Sequence, residues 1–285
     1  MRGSATSLLK YVLLSLTIIE AIGVALGSIG VAKIASLIGK SSFYLVIGLL
    51  IYCLYSGRTG SFIIGGLGLT ASADIMLKTT LKMPRPPSYL WLMNAEGPGF
   101  PSGHAAMSTA FAVLVTYCTR DPILAAALGI HAGAVSISRI VLNVHYPIDV
   151  FGGILIGIIG ALAAIALYTA SKNIGKYLVL IGLPSLLMSI VSMYEMPEYT
   201  DSPLILGVSL GLVVSGPLLD KAFGEQCLVD KRFKIRILSL ILGFIGLVIV
   251  LGLKSTDTAF LTMLGGLIYV AAALCSRPIA CRIFK

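Results

Sequence analysis

Charge is scarce in this sequence. Asp, Glu, Lys and Arg make up 12% of its 285 residues, about half the roughly 25% that a soluble domain uses to cover its surface. With 57% hydrophobic residues and a mean hydropathy of +0.98, the chain has too little polar surface for a soluble globular fold. A polytopic membrane protein is what remains. Acids are scarcer than bases, 12 against 21, for a formal net charge of +9. Most of the bases sit in short loops between apolar spans, where the positive-inside rule accounts for them and no nucleic-acid partner is needed. The five cysteines, Cys53, Cys118, Cys227, Cys275 and Cys281, are odd in number and lack metal-ligand spacing. Cys53, Cys118 and Cys275 fall in or beside apolar spans and read as small fillers. The chain also lacks a carboxylate cluster near its motifs of the kind that holds two metal ions. The expectation is therefore chemistry with no metal and no cofactor. No cleavable signal peptide is expected, because the first apolar stretch is long enough to span and has no clear processing site.

What is abundant is apolar length. A membrane crossing takes about 20 apolar residues, and the candidate spans are 8–30, 42–57, 61–81, 104–119, 122–143, 148–170, 176–194, 203–219, 235–253 and 258–275. The second, fourth and eighth are short. Residues 31–41 differ: Val31, Ile34, Leu37 and Ile38 recur at helical spacing with Lys33 and Lys40 among them, which predicts a short interfacial helix. Fourteen of the 21 basic residues fall on one side if the N-terminus is inside, so both termini are expected to face the cytoplasm. Residues 220–236 are the one sizeable polar linker after the sixth span and read as a cytoplasmic loop.

The remaining charge gathers at span ends. Lys78-x6-Arg85-Pro86 closes the third span, Phe100-Pro101-Ser102-Gly103-His104 opens the fourth, and Ser138-Arg139-x5-His145-x3-Asp149 joins the fifth to the sixth. Counting spans brings all three motifs to the outer face. Serine is a favoured N-cap, glycine lets the backbone approach a ligand, and a helix N-terminus attracts anions. His145 and Asp149 stand i,i+4 on one helix, so the carboxylate can fix the ring tautomer and leave the other nitrogen to attack. Lys78, Arg85 and Arg139 suit the oxygens of a phosphate dianion. A charge at the centre of a membrane helix costs roughly 2.5–3.5 kcal/mol, which places all three near the interface or a polar cavity. Asp74 stands four residues before Lys78 and is a candidate pair for it. Glu20 lies in the first span without a sequence-local partner. His131 reads as a buried structural histidine whose partner must come from another helix, roughly 12 Å deeper than Arg139.

These three motifs resemble the signature of the type 2 phosphatidic acid phosphatase superfamily, which also includes vanadium haloperoxidases and glucose-6-phosphatases. The resemblance covers about residues 1–170. It implies an all-α transmembrane bundle with a six-span catalytic core, followed in 171–285 by about four further spans of unassigned role. It implies His145 as nucleophile, Asp149 as its orienting partner and His104 as general acid. Lys78, Arg85, Ser102, Gly103 and Arg139 would be phosphate ligands. The expected substrate is a lipid phosphate or diphosphate, reached among membrane lipids from the outer leaflet. A sugar-phosphate hydrolase, a phosphotransferase and a lipid-binding or transport protein with a vestigial site are the alternatives. The loop 86–101, with Tyr89, Leu90, Trp91, Leu92, Met93 and Phe100, suits either a lid or an interfacial anchor. The sequence sets no oligomeric state.

Overall fold

In this computed structural model the structure describes residues 2–171, 173–199, 201–219, 228, 232–254 and 259–283. All regular structure among them is helical. The helices are α1 (Arg2–Ala25), α2 (Ile29–Ile38), α3 (Ser41–Leu50, continued by a π turn at Ile51–Tyr55), α4 (Gly57–Leu81), α5 (Gly103–Thr119) and α6 (Pro122–Val141). There follow α7 (Pro147–Ser171), α8 (Ile174–Glu195), α9 (Asp201–Leu218), α10 (Phe233–Lys254) and α11 (Ala259–Ile283). Each of the ten expected spans contains helix, but the first, 8–30, runs across the break at residues 26–28 from α1 into α2, and the second, 42–57, runs past the π turn that ends at Tyr55.

Length and composition alone qualify fewer of them. Six described helices, α4, α6, α7, α8, α9 and α11, are long and apolar enough to cross a membrane. A seventh span arises if α2 and the α3 segment, bent by 51° at their break, are taken together. The α5 helix has 17 residues, short of a full crossing, as its sequence suggested. The separate helix expected at residues 31–41 is α2, and it is capped: Ser28 accepts from Val31 N at its start. The polar linker at 220–236 lies mostly outside the described residues.

The chain divides into two compact units. The first takes residues 1–44 and 81–161, and the second residues 45–80 and 162–285. In the first, α6 packs against α1, α2 and α5. Its core is Val24, Ala32, Ala35, Ala134, Leu142 and Val144, with Trp91 and Met93 laid against it. The second unit packs α8 on α9 and α11 on α9 and α10. There α9 and α11 cross backbone to backbone, since a Cβ on Gly207 would stand 1.9 Å from the Met263 carbonyl oxygen. Small residues permit such crossings where lipid supplies no hydrophobic drive between helices. The same unit carries a buried serine cluster, Ser72, Ser189 and Ser209, linking α4, α8 and α9.

Some buried polar groups in the first unit are paired across helices. Glu20 of α1 lies 2.8 Å from His131 Nδ1 of α6, and the other ring nitrogen lies 3.2 Å from the Tyr44 hydroxyl of α3. The acid without a neighbour in sequence and the histidine without a polar residue one turn on are thus each other's partners. At the opposite end of α6, Asp121 caps the helix through Ile123 N and Leu124 N and also binds Lys10. That lysine, with the capping N–H groups, holds the Asp121 carboxyl below its ordinary pKa.

The Glu20–His131 contact should tie α1 to α6. Coupling across transmembrane helices averages about 0.6 kcal/mol and reaches about 1.7. With side chains only 13% and 12% exposed, this pair belongs at the upper end. Glu20→Ala, His131→Ala and the double variant, compared by thermal unfolding in detergent, should give a coupling of about 1 kcal/mol. Strict additivity would show that the contact contributes nothing to holding the two helices together.

Candidate active site

The turn between α6 and α7 is short, and its geometry is forced. Leu142 closes α6, Asn143 sits in the left-handed region at φ +55°, and Val144 N bonds back to Arg139 O at 3.2 Å. Asparagine tolerates that conformation better than most residues. The result sets Arg139, in the last turn of α6, beside His145, just ahead of α7.

His145 and Asp149 are almost fully buried, at 3% and 1% exposure. His145 Nδ1 lies 3.3 Å from Asp149 Oδ2, and the same oxygen accepts the Tyr146 N–H at 2.9 Å. Asp149 Oδ1 is buried without a hydrogen bond. On the far side of the ring, Arg85 Nη1 lies 2.8 Å from Nε2. A guanidinium has only donors, so Nε2 accepts and the ring proton belongs on Nδ1, directed at Asp149. The ring is therefore oriented from both sides.

Arg85 binds more than the ring. Its Nη1 also donates to Val144 O at 2.8 Å, Nε donates to Gly97 O at 2.9 Å, and Nη2 donates to Glu96 O at 2.8 Å. Gly97 holds φ +64°, which an L side chain adopts with strain. Two other contacts fasten the loop: Trp91 Nε1 donates to Pro86 O at 2.7 Å and Leu92 N to Leu142 O at 3.1 Å. The loop divides in its exposure. Trp91 and Met93 turn inward against the core, while Tyr89, 84% exposed, and Leu90 turn outward.

Ser102, Gly103 and His104 start α5 against the start of α7. Ser102 N donates to the backbone oxygen of Asp149 at 2.8 Å. Ser102 occupies the N-cap position at φ −81°, ψ 107°, yet its hydroxyl caps nothing and is buried without a partner. The first-turn N–H groups of a helix have no intrahelical acceptor, so hydroxyl and backbone donors share one end of α5. Gly103 is the first helical residue there, and His104, half-buried, is the second.

Arg139 is 3% exposed. Its Nη1 donates to Ser36 Oγ and, at 3.2 Å, to Met93 Sδ, and its Nε is buried without an acceptor. Both partners are neutral, and Arg85 is its charged neighbour. Two guanidinium groups therefore face the same region, and among the described residues the buried one is held by neutral atoms. Such an arrangement suits an anion. Lys78 belongs to the second unit, where it is buried with Nζ 3.4 Å from Asp74 Oδ2.

Residues 59–173 match the family model of the PAP2 superfamily. The match begins inside α4 and contains every residue of the three motifs, so the resemblance of the motifs extends to the segment that carries them. It leaves α1, α2 and α3 outside. A candidate undecaprenyl-diphosphatase, YbjG of Escherichia coli (strain K12), is 35% identical over 82 residues, 29% of this chain and 41% of that protein. The decaprenylphosphoryl-5-phosphoribose phosphatase of Mycobacterium tuberculosis is 29% identical over 119 residues, 40% of this chain and 65% of that protein. Its namesake in Mycolicibacterium smegmatis is 35% identical over 91 residues, 31% of this chain and 48% of that protein. The aligned stretches thus span about two fifths to two thirds of these relatives. No solved structure matches.

Sequence reading passed over the glycines that let α5 and α7 close on each other. A Cβ on Gly153 of α7 would stand 2.4 Å from Ser102 O, and one on Gly157 would stand 2.5 Å from Ala106 O. Gly153-x3-Gly157 is a small-xxx-small spacing and was the available signal. Because the obstacle is backbone, it cannot swing aside. Gly153→Ala should cost about 1–3 kcal/mol as overpacking and displace Ser102 from Asp149. We expect a lower unfolding temperature. An unchanged unfolding temperature would mean that α5 and α7 do not approach this closely.

Proposed function

We propose that the chain is a membrane phosphatase that hydrolyses a lipid phosphate or diphosphate of the polyprenyl type through a phosphohistidine on His145. The observation that carries this reading is the imidazole held between Asp149 on Nδ1 and Arg85 on Nε2. A neutral ring with its proton on Nδ1 has its lone pair on Nε2, the nitrogen that must attack. The names of the bacterial relatives, which act on or are assigned to polyprenyl-linked phosphates, favour the lipid substrate. The outward Tyr89 and Leu90 favour a site reached from a leaflet.

The chemistry runs in two displacements. His145 Nε2 attacks phosphorus and the bond to the leaving oxygen breaks, while His104 delivers a proton to that oxygen. Asp149 stabilises the positive charge on the ring, as the carboxylate of a hydrolytic triad does. Water, deprotonated by His104, then attacks the phosphohistidine, releasing inorganic phosphate and restoring His145. In the first step Arg85 Nη1 exchanges Nε2 for a phosphoryl oxygen, since the phosphorus takes the place of its hydrogen. Arg139, the Ser102 hydroxyl and the Gly103 N–H take the other oxygens. Lys78 enters this list through the family resemblance alone. We propose the outer face for the site, with both termini inside, on the distribution of basic residues, and the bacterial relatives favour a prokaryotic membrane.

The test is phosphate release by the purified protein in detergent with EDTA present. Polyprenyl diphosphate, phosphatidate and glucose 6-phosphate would be compared, with His145→Ala as control. We expect release from the polyprenyl diphosphate, lost by at least about a thousand-fold in the variant. The rate should be bell-shaped in pH, because His145 must be neutral while His104 must carry a proton. Release from glucose 6-phosphate alone would replace the lipid substrate with a soluble one. His145-independent release would remove the nucleophile.

A further inference from the structure

The PAP2 match begins at residue 59, but one contact to the site's arginines comes from before it. Ser36 lies on α2, fully buried, and its hydroxyl accepts from Arg139 Nη1. The same hydroxyl donates to Met93 Sδ at 3.4 Å, and Met93 Sδ also accepts from Arg139 Nη1 at 3.2 Å. Guanidinium, hydroxyl and thioether therefore form a closed three-way contact joining α6, α2 and the loop 86–101. We propose that Ser36 is a positioning residue for phosphate binding, holding Arg139 at the angle from which it meets a phosphoryl oxygen. The proposal rests on the assignment of Arg139 as a phosphate ligand.

Three features make this more than packing. First, the partners of a buried arginine are usually acids, and an acid here would neutralise the charge an anion needs. A hydroxyl and a thioether orient the guanidinium without cancelling it. Second, the two contacts differ in strength. A thioether is a weak acceptor, so the N–H facing Met93 is readily given up to a phosphoryl oxygen, while the serine contact keeps the fork from turning. Third, Arg85 stands close enough to Arg139 to repel it, and the Ser36 hydroxyl gives the Arg139 guanidinium a neutral partner against that repulsion. Ser36 is positioned for that task because α2 packs directly on α6, with Ala32 and Ala35 in the shared core.

Ser36→Ala removes the hydroxyl while preserving the shape of the site. Loss of one hydrogen bond to a charged group corresponds to roughly ten-fold or more in affinity. In the full-length protein in detergent we expect KM for polyprenyl diphosphate and the inhibition constant for inorganic phosphate to rise together by about ten-fold. kcat should change by less than about three-fold, and the unfolding temperature by little. Ser36→Thr should restore most of the loss. In an Arg139→Lys background the Ser36→Ala change should add almost nothing, since the group it orients is gone.

A purely structural serine would predict a fall in kcat or in active fraction with KM and phosphate inhibition unchanged. It would also predict additivity with Arg139→Lys. Either result overturns the proposal, as does a Ser36→Ala enzyme indistinguishable from the parent. His145→Ala runs in parallel. If His145→Ala still hydrolyses the substrate, the reading of the active site has failed. If it is inactive while Ser36→Ala behaves as the parent, only the positioning role of Ser36 has failed.

Discussion

Asp149 is bonded in two directions at once. Its carboxylate receives the Tyr146 N–H and faces the His145 ring, and its main-chain oxygen receives the Ser102 N–H. One residue therefore sets the imidazole and joins the first turn of α7 to the N-cap of α5. The rest of the site depends on that joint. Turning His145 away would take one of the contacts from the buried Asp149 carboxylate, and a hydrogen bond to a charged group is worth roughly 1.5–3 kcal/mol. The start of α5 cannot retreat without breaking its tie to α7. Gly153 matters for the same reason, since any side chain there would hold the two helix ends apart.

Around this joint, two guanidinium groups rest on neutral acceptors. Arg85 is spread over three backbone oxygens and one ring nitrogen, and Arg139 over a hydroxyl and a sulfur. Elsewhere in the chain buried basic and acidic side chains meet, as Lys78 meets Asp74 and His131 meets Glu20.

The loop 86–101 serves both ends of this arrangement. Its backbone oxygens at Glu96 and Gly97 hold Arg85, and its Met93 sulfur touches Arg139. Its apolar side chains split between core and outside, so the choice between anchor and lid does not apply to the loop as a whole. Trp91 and Met93 fasten it, while Tyr89 and Leu90 remain outside.

Much of this protein was fixed by the sequence alone, because membrane insertion reads apolar length and helix ends read local chemistry. The apolar stretches foretold helical segments, though the first ran across the break between α1 and α2. The i,i+4 spacing of His145 and Asp149 foretold their contact, although His145 lies two residues ahead of α7 and not on it, and Asp74 four residues before Lys78 foretold their pairing. Those relations lie within a few residues of one another and survive without knowledge of the fold. Only tertiary structure could show that Glu20 meets His131, that Arg85 stands on His145 Nε2, or that Ser36 holds Arg139. Each pair comes from separate helices or loops, and no periodicity links them. The N-cap at Ser102 shows the same limit from the other side. Its sequence predicts a capping hydroxyl, but packing of α5 on α7 gives the N–H to Asp149 O and leaves the hydroxyl unbonded at the end of the helix.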